Sequence, residues 1–333
     1  MKKIAIITSG GEGPGINHAV QEFCLEDDLE VWGFHGGFDG IIEEKGFIIT
    51  KEDCKSFAIS GKQIVKSARS KKTFSTEGRK EIIETLKKLQ IDCLIVCGGN
   101  GSLEGAKLLT AEGYPTIFIP MSVDNDIDYT EYSIGYNTTL NSFIEIMQNI
   151  HNSSYNMPKR IFMVEVPGGN CGQLALATGM MGNADIIILP EYCINHHTIA
   201  KKVYEKYKKE NYVIIVCAET AYEKDVYVAG NQGISFTIGK EIEKETGIKM
   251  RHCVTGFYTR GSQPCYQDCY MASCFAYKAI ENIQKDKYGI MIGVQNGQIT
   301  EIEYSKHYAK KKELDKNLIN MAKKKDVLIL GGK

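Results

Sequence analysis

The chain has 333 residues, more than one ordinary domain length, so two α/β lobes are expected. Its content of 43% hydrophobic and 24% charged residues is ordinary for a globular enzyme. The formal net charge is −1 and no long basic run occurs, so a nucleic-acid partner is not expected. The apolar run Ile4–Ile7 is too short for a signal peptide or a membrane span, which favours a cytoplasmic protein without a membrane partner. The 11 cysteines are then expected to be reduced thiols.

Short β-branched runs alternate with helical stretches, the pattern of βαβ units that build parallel sheets. A continuous apolar run suits a strand that is covered on both faces. Six such strands are predicted, at Ile4–Ile7, Cys93–Cys97, Thr116–Ile119, Ile161–Val166, Ile186–Leu189 and Val213–Cys217. Lys80–Leu89 has helical apolar spacing, and Leu103–Leu109 is predicted as a helix with Ser102 as its N-cap.

Three of the predicted strands end in glycine-rich turns. These turns are Ser9–Asn17 (SGGEGPGIN), Gly98–Ser102 (GGNGS) and Pro167–Gly172 (PGGNCG). Ligands bind beyond the carboxyl ends of strands in open α/β sheets, where glycine lets the backbone approach an anion at a following helix. Each turn alone is also typical of an ordinary tight turn, but three together favour a phosphate-rich ligand. Neither GxxxxGK[ST] nor GxGxxG occurs, which argues against a P-loop or dinucleotide enzyme.

An acidic cluster follows the predicted strand Thr116–Ile119. The sequence PMSVDNDID contains Ser122, Asp124, Asp126 and Asp128. Phosphoryl transfer needs a carboxylate that orients or deprotonates the attacking hydroxyl and a cation that bridges the phosphates. The same residues also suit an Asx-type turn with solvated charges. The residues alone leave both interpretations open.

Taken together and in this order, these stretches resemble the motifs of the phosphofructokinase family. SGGEGPGIN resembles its first nucleotide loop, GGNGS its GGDGS loop, PMSVDNDI its PGTIDNDI loop and VEVPGGNCG its VEVMGRxCG segment. Arg251–Pro264, RHCVTGFYTRGSQP, resembles its substrate stretch. The resemblance implies an α/β fold of two lobes of parallel-rich sheets flanked by helices, with the active site between them. The nucleotide lobe would comprise 1–137 plus about 260–308, and the sugar-phosphate lobe 138–259 plus about 309–333.

The resemblance also implies an activity. It is the transfer of the γ-phosphoryl group of ATP to the 1-hydroxyl of fructose 6-phosphate, with Mg²⁺ as cofactor. Members of the family are commonly homotetramers, in which a neighbouring subunit completes the sugar-phosphate site. The implied partners are therefore ATP, fructose 6-phosphate and further copies of the chain.

Positions that match the family motifs carry implied roles. Asp124 would accept the proton of the sugar hydroxyl, Asp126 and Asn100 would hold the metal, Ser122 would lie near the transferred phosphate, and Arg69 would neutralise phosphate charge. The implied nucleotide-binding residues are Gly10, Gly11, Arg69, Gly98, Gly99, Asn100, Gly101 and Ser102. The implied substrate-binding residues are Ser122, Asp124, Asp126, Arg160, Pro167, Gly168, Gly169, Glu219, Arg251, Phe257 and Arg260. Arg160 and Arg251 would reach the 6-phosphate bound to a neighbouring subunit, where a planar guanidinium suits phosphate.

Four positions depart from the family pattern. Asn100 replaces an aspartate, which lowers the expected metal affinity, and Gly169 replaces an arginine that would stabilise the transferred group. Phe257 replaces a histidine and cannot hydrogen-bond a sugar phosphate. Met121 replaces a glycine, and matches neither the ATP-using nor the pyrophosphate-using members. Gly101 leaves room for a nucleotide, which favours ATP over pyrophosphate.

Three hypotheses remain open from the sequence. The first is a slow ATP-dependent 6-phosphofructokinase, which the retained Asp124 and Arg69 favour. The second is a non-catalytic paralogue that binds sugar phosphate or nucleotide in a regulatory role, which Asn100, Gly169 and Phe257 favour. The third is a kinase of another sugar phosphate, because Phe257 alters the substrate end.

Overall fold

The computed structural model describes residues 1–192, 196–221, 233–306 and 312–331. The chain divides into two compact units. Unit 1 comprises Met1–Thr138 and Arg260–Lys311, and unit 2 comprises Thr139–Thr259 and Lys312–Lys333. The lobe boundary expected near 308–309 falls outside the described residues.

The helices and strands alternate over most of the chain. The strands are β1 (Lys2–Ser9), β2 (Leu29–Phe34), β3 (Gly46–Ile48), β4 (Cys93–Gly98), β5 (Thr116–Pro120), β6 (Arg160–Val166), β7 (Ile186–Leu189), β8 (Tyr212–Ala218), β9 (Met250–Val254), β10 (Ile290–Gln295), β11 (Gln298–Glu303) and β12 (Leu328–Gly331). The helices are α1 (Ile16–Leu25), α2 (Gly37–Ile42), α3 (Lys51–Phe57), α4 (Thr76–Lys88), α5 (Asn100–Ala111), α6 (Tyr136–Asn156), α7 (Gln173–Met181), α8 (His196–Glu210), α9 (Ile234–Thr246), α10 (Tyr266–Gln284) and α11 (Lys316–Lys324).

Unit 1 is built on a seven-stranded sheet with the order β11-β10-β5-β4-β1-β2-β3. The inner pairs are parallel, whereas β3 and β11 at the edges pair antiparallel with their neighbours. Alternate residues of β1 enter two different cores. Ile4 and Ile6 lie in one core with residues of α1 and α10, and Ala5 and Ile7 lie in the other with residues of α4 and α5. Burial on both faces explains why this strand has a continuous apolar sequence.

Unit 2 is built on a five-stranded sheet with the order β12-β7-β8-β6-β9. All four of its strand pairs are parallel. The central strands β6 and β8 are buried almost throughout. Their carboxyl ends therefore lie at one edge of the sheet and their amino ends at the other.

The sequence-based prediction of six buried strands is confirmed, as is the α/β class with two mainly parallel sheets flanked by helices. The predicted helix Lys80–Leu89 is the later part of α4. The prediction of Ser102 as an N-cap is wrong. The N-cap of α5 is Gly99, and the Ser102 hydroxyl inside the first turn donates to the Ser9 carbonyl at 3.0 Å.

The thiol chemistry agrees with the expectation from the sequence. Ten cysteines occur among the described residues and all ten are free thiols. None of the described helices is both long enough and apolar enough to cross a bilayer.

Candidate functional site

Three loops of unit 1 meet at one edge of its sheet. Ser9 pairs with Gly98, and Gly98 pairs with Pro120, so β1, β4 and β5 end side by side. The glycine-rich loops after β1 and β4 and the acidic loop after β5 therefore leave the sheet together. This is the edge at which α/β sheets bind ligands.

The loop after β1 lies next to two arginines. Ser9 forms an isolated parallel bridge with Ala68, and the Gly10 N–H donates to the Ala68 carbonyl at 3.0 Å. This pairing places Arg69, which is exposed, beside the first glycine-rich loop. A Cβ on Gly11 would lie 3.5 Å from Nη1 of Arg260. The structure thus brings Gly10, Gly11, Arg69 and Arg260 together within unit 1.

The loop after β4 turns directly into α5. A Cβ on Gly98 would lie 2.5 Å from the Ser9 carbonyl oxygen and 2.6 Å from Ser102 Oγ, so the close approach of β1 requires glycine there. Gly99 and Gly101 face open space instead, because a Cβ on either would meet nothing within 4 Å. The amino end of α5 therefore has free space around Gly99 and Gly101, and the amino end of a helix suits an anion.

The acidic loop after β5 is held by a small hydrogen-bond network. The Asn100 amide nitrogen donates to Asp126 Oδ2 at 2.9 Å and to the Asp126 carbonyl at 3.2 Å. Ser122 Oγ donates to Asp126 Oδ1 at 3.2 Å and accepts from the Asp124 N–H at 3.2 Å. Asn125, at φ 50°, donates to the Glu131 carbonyl and turns the loop. The network links the loops after β4 and β5.

The residues of this loop fit a magnesium ion shared with phosphates. Both donors to the Asp126 carboxylate are neutral, so neither compensates its negative charge. Mg²⁺ is usually held by one or two carboxylates together with substrate phosphates and waters. Among the described residues, no group of three or more His, Cys, Asp or Glu side chains could hold a metal. Phosphate oxygens would therefore have to supply ligands beside Asp126 and Asn100.

Met121 is turned away from this ligand edge. Its side chain is only 1% exposed, and a Cβ on Gly13 would lie 2.2 Å from Met121 Cγ. Gln63 Nε2 approaches its sulfur at 3.7 Å. Met121 therefore fills space under the first glycine-rich loop. Its uncharged side chain cannot bind a phosphoryl donor as the ammonium group of a lysine would.

At the carboxyl edge of the unit 2 sheet, the loop after β6 contacts the end of β8. Glu219 Oε1 accepts hydrogen bonds from the Gly168 N–H at 3.1 Å and the Gly169 N–H at 2.9 Å. Pro167 precedes this pair and is buried. Glu165, in β6, accepts from the Ser235 N–H at 2.8 Å, and burial raises the pKa of its carboxyl. The sequence predicted Pro167, Gly168, Gly169 and Glu219, and the structure brings them together.

Arg160 and Arg251 lie near the opposite edge of the same sheet. Arg160 begins β6 and Arg251 is the second residue of β9, where it pairs with Phe162. Both arginines line a cavity of about 400 Å³, which Lys159 and Lys249 also line. The two lysines were missed by the sequence analysis, because a single lysine beside an arginine is an ordinary surface pattern. Arg160 and Val166 lie six positions apart in β6, which is about 20 Å at the rise of a strand.

Phe257 is 81% exposed. An exposed aromatic ring offers apolar contact and no hydrogen bond. The structure thus places Phe257 on the surface of unit 2 without assigning it a partner.

Comparison with known proteins places the chain in a family. The family model described as Phosphofructokinase matches residues 3–283. A protein of Clostridioides difficile (strain 630) named ATP-dependent 6-phosphofructokinase is 35% identical over 97% of this chain and 99% of its own length. A protein of the same name from Clostridium botulinum (strain Loch Maree / Type A3) is 33% identical over 97% of this chain and 98% of its own length.

Solved structures agree in fold. Phosphofructokinase from Saccharomyces cerevisiae is 25% identical and superimposes with a TM-score of 0.79 over 98% of this chain and 47% of its own. A pyrophosphate-dependent phosphofructokinase from Marinobacter aquaeolei, 19% identical, has a TM-score of 0.81 over 99% of this chain and 88% of its own, a likeness of fold alone. The family model matches most of the chain, and relatives above 30% identity match it along nearly their whole length. This chain therefore belongs to the phosphofructokinase family.

Proposed function

We propose that the chain is a kinase that transfers the γ-phosphoryl group of ATP to the 1-hydroxyl of fructose 6-phosphate, a step of glycolysis. The observation that carries this proposal is the edge of the unit 1 sheet, where Asp124 and Asp126 lie in a loop beside two glycine-rich loops. The relatives at 33% and 35% identity are named ATP-dependent 6-phosphofructokinases, and the motifs of this chain, which occur in the order of the family, support the same activity here.

Each side chain of the unit 1 edge has a role in this proposal. The Gly10–Gly11 and Gly98–Ser102 loops bind the phosphates of ATP through backbone N–H groups. Asp124 takes the proton of the attacking hydroxyl as a general base, and Arg69 offsets charge on the separating phosphates. Ser122 orients the acidic loop through its bonds to Asp124 and Asp126.

Asp126 and Asn100 hold the Mg²⁺ ion in this proposal. The bound ion would neutralise negative charge on the phosphates of ATP. Asn100 contributes an amide in place of a second carboxylate, so the protein supplies less negative charge to the ion. We therefore expect weak binding of free Mg²⁺ and stronger binding when ATP is present.

Pro167, Gly168, Gly169 and Glu219 of unit 2 bind the hydroxyl end of the sugar phosphate in this proposal. Arg260 contributes positive charge for the substrate. Phe257, at the position of a histidine in the family, offers apolar contact only. The 6-phosphate is bound by Arg160 and Arg251 of a second copy of the chain, which makes a homotetramer in the cytoplasm the expected form.

ATP is the expected donor. Gly101 faces open space, so an adenosine group can pass there, and Met121 is buried against Gly13, so it cannot hold pyrophosphate. Isothermal titration calorimetry with Mg²⁺ and each donor tests this choice. Tighter binding of pyrophosphate than of ATP would contradict it.

A second function is favoured by three residues. Asn100, Gly169 and Phe257 each replace a charged or hydrogen-bonding side chain of the family pattern, as a non-catalytic paralogue with a regulatory role would tolerate. A coupled assay of fructose 1,6-bisphosphate formation, with either ATP or pyrophosphate as donor, separates the two functions. Turnover above background that Asp124→Asn abolishes supports the kinase. Binding of ATP and fructose 6-phosphate without turnover supports the paralogue.

A further inference from the structure

The arginine segment, residues 65–69, is tied to the carboxyl end of β1 and to the loop that follows it. The Thr8 hydroxyl donates to the Val65 carbonyl at 2.7 Å, and the Gly10 N–H donates to the Ala68 carbonyl at 3.0 Å. The last residue of this segment is the arginine that offsets phosphate charge in the proposed function. Its position beside the first glycine-rich loop therefore depends on how firmly the residues before it are held.

His35, which follows β2, holds the middle of the arginine segment. Its Nδ1 accepts a hydrogen bond from the Lys66 N–H at 3.2 Å, and the Gly36 N–H donates to the Lys66 carbonyl at 2.8 Å. The imidazole ring packs against Phe47 of β3, with 4.5 Å between the ring centroids. Two consecutive residues after β2 thus bind both backbone polar groups of Lys66.

The hydrogen bond from Lys66 requires a neutral imidazole. A ring nitrogen that accepts a hydrogen bond carries no proton, so the proton of the neutral ring lies on Nε2. Burial lowers the pKa of His35 below its ordinary value of 6.5, and the positive charge of Lys66 lowers it further. The surroundings therefore favour the charge state in which His35 can hold the segment.

The other charged groups of the neighbouring elements have partners of their own. In α2, Asp39 Oδ1 accepts from the Ser70 hydroxyl at 2.6 Å. The strand β3 has no charged residue, and in the turn before it Lys45 forms an ion pair with Glu43. Lys66 is the charged group that acts on the ring, and it opposes protonation.

We propose that His35 is a positioning residue for phosphoryl transfer, whose neutral imidazole fixes the arginine segment and so holds Arg69 beside the first glycine-rich loop. The inference rests on the proposed kinase function and deepens it, because it gives a role to a residue outside the motifs. Protonation of Nδ1 removes the acceptor of the Lys66 N–H. The segment then loses a tie, and Arg69 is less well placed for the phosphates of ATP.

The Lys66 amide allows a direct test in the full-length protein. The chain contains a single Val–Lys pair, Val65–Lys66, so labelling with [¹³C′]valine and [¹⁵N]lysine isolates the signal of this amide. We expect the signal of the wild type to move through one transition below pH 6.5. His35→Asn should show no such transition, because its side-chain oxygen accepts the hydrogen bond and does not titrate.

Two results of this titration overturn the proposal. The first is a Lys66 signal in the wild type that does not change as the pH falls through this range. The second is the same transition in His35→Asn, which would show that the amide responds to another group, such as the Asp39 carboxylate.

Steady-state kinetics tests the effect on the reaction. His35→Phe keeps an aromatic ring beside Phe47 but lacks the acceptor, so we expect kcat/KM for ATP to fall about tenfold, because the Lys66 N–H loses its partner. His35→Asn should keep the wild-type value above pH 6.5, where the wild-type ring is neutral. His197→Phe in unit 2 is the matched control. The His197 side chain is 80% exposed, and this variant should have the kinetics of the wild type.

A double-mutant cycle distinguishes the positioning of Arg69 from a general loss of structure. If His35 acts through Arg69, their effects are not additive. In the Arg69→Ala background, His35→Phe should therefore lower kcat/KM for ATP by less than about twofold further. A further fall as large as that in the wild-type background overturns the proposal, because His35 would then act on another part of the site.

The pH profile gives a second kinetic readout. The folded pKa of His35 is lowered, so its hydrogen bond is present above 6.5 and is lost as the pH falls through the folded pKa. The activity of the wild type should therefore decline faster than that of His35→Asn below pH 6.5. Parallel profiles of the two proteins overturn the proposal.

The failure of the proposed kinase function can be told apart from the failure of this inference. If the wild type transfers no phosphoryl group from ATP, the kinase function fails. The titration of the Lys66 amide does not depend on turnover and still decides whether His35 holds the arginine segment. Calorimetry with MgATP then decides the rest, because equal binding by the wild type and His35→Phe overturns the role of His35.

Discussion

Asp124 and Asp126 lie two residues apart but have different surroundings. Asp126 is engaged through both of its carboxylate oxygens, by Asn100 and by Ser122. Asp124 is oriented through its backbone N–H, which donates to Ser122 Oγ. Carboxylate oxygens are ligands that Mg²⁺ prefers, whereas a general base must lie within hydrogen-bond reach of the substrate hydroxyl. The proposed function gives Asp126 the first role and Asp124 the second.

Asp124→Asn tests the base. The change keeps the size of the side chain and removes its ability to accept a proton, so we expect kcat to fall by about 10² or more. Asp128→Asn in the same loop is the control, because its Oδ1 accepts from the Tyr129 N–H, a bond that asparagine preserves. Steady-state kinetics of both variants is the measurement. Similar rates for the two variants would show that Asp124 is not the base.

Asn100→Asp tests the metal site. The Asn100 amide nitrogen lies 2.9 Å from Asp126 Oδ2, so an aspartate would face another carboxylate at that distance and repel it. We expect the melting temperature of Asn100→Asp to lie below that of the wild type without Mg²⁺ and to rise more steeply as Mg²⁺ is added. Turnover with MgATP should also increase, because a second carboxylate strengthens the site.

Asn183→Asp is the matched control for that experiment, since Asn183 is exposed in unit 2. Its melting temperature should respond to Mg²⁺ as that of the wild type does. If the melting temperature of Asn100→Asp rises with Mg²⁺ only as much as that of the control, the ion binds elsewhere.

At the scale of elements, the sequence predicts the strands well and the helix starts less well. Continuous apolar runs such as Ile186–Leu189 favour a strand buried on both faces, and the observed β7 has the same bounds. The start of α5 was misplaced because Ser102 is a typical N-cap residue. Its hydroxyl instead bonds β1, which is 93 positions away. Because the two residues are so far apart in the sequence, no local sequence pattern indicates this contact.

A second contact between distant elements joins α10 to the start of α6. Asp268, in the first turn of α10, is 1% exposed. Its Oδ2 accepts from the Thr138 N–H at 2.7 Å and from the Thr138 hydroxyl at 2.6 Å, and so caps α6. Burial raises the pKa of the Asp268 carboxyl above its ordinary value of 3.8, and the bonds from Thr138 only partly oppose this effect.

The raised pKa predicts a pH dependence of stability. Between 3.8 and the folded pKa, the folded state binds more protons at Asp268 than the unfolded state does. The stabilising contribution of this proton is complete below 3.8 and is lost as the pH rises through the folded pKa. Asp268→Asn keeps an oxygen acceptor for Thr138 and cannot ionise. Melting temperatures from about pH 4 to about pH 7 should therefore fall for the wild type relative to the variant. If the difference in melting temperature between the wild type and Asp268→Asn does not change with pH, the pKa of Asp268 is not raised in the folded state.

At the scale of the whole molecule, several residues of unit 2 with implied sugar-phosphate roles lie at two opposite edges of one sheet. Glu219 and the Gly168–Gly169 pair lie at the carboxyl edge of unit 2, whereas Arg160 and Arg251 line a cavity towards the amino edge. The motifs identified these residues, but their separation was not visible in the sequence, because it depends on which end of a strand each residue occupies. A strand length of about 20 Å is too long for one small sugar phosphate to bridge.

This separation predicts that Arg251 acts on a sugar phosphate bound to another copy of the chain. Arg251→Glu and Asp124→Asn should each be nearly inactive alone. After mixing and reassociation, a hybrid should combine Asp124 of one chain with Arg251 of its neighbour. Random pairing of two neighbouring chains places both intact residues at one site in roughly a quarter of cases, so we expect up to about that fraction of wild-type activity.

The control for this mixing experiment is a mixture of two single variants, Asp124→Asn and Asp126→Asn. Both residues lie in one loop of the same chain, so no pairing of these variants restores an intact acidic loop, and activity should stay at the level of the separate variants. Differently tagged chains confirm that hybrids form. Hybrids of Arg251→Glu and Asp124→Asn that form and remain inactive would show that Arg251 does not serve a neighbouring chain. The cationic cavity, with Lys159 and Lys249 beside the two arginines, would then bind an anion unrelated to the transfer reaction.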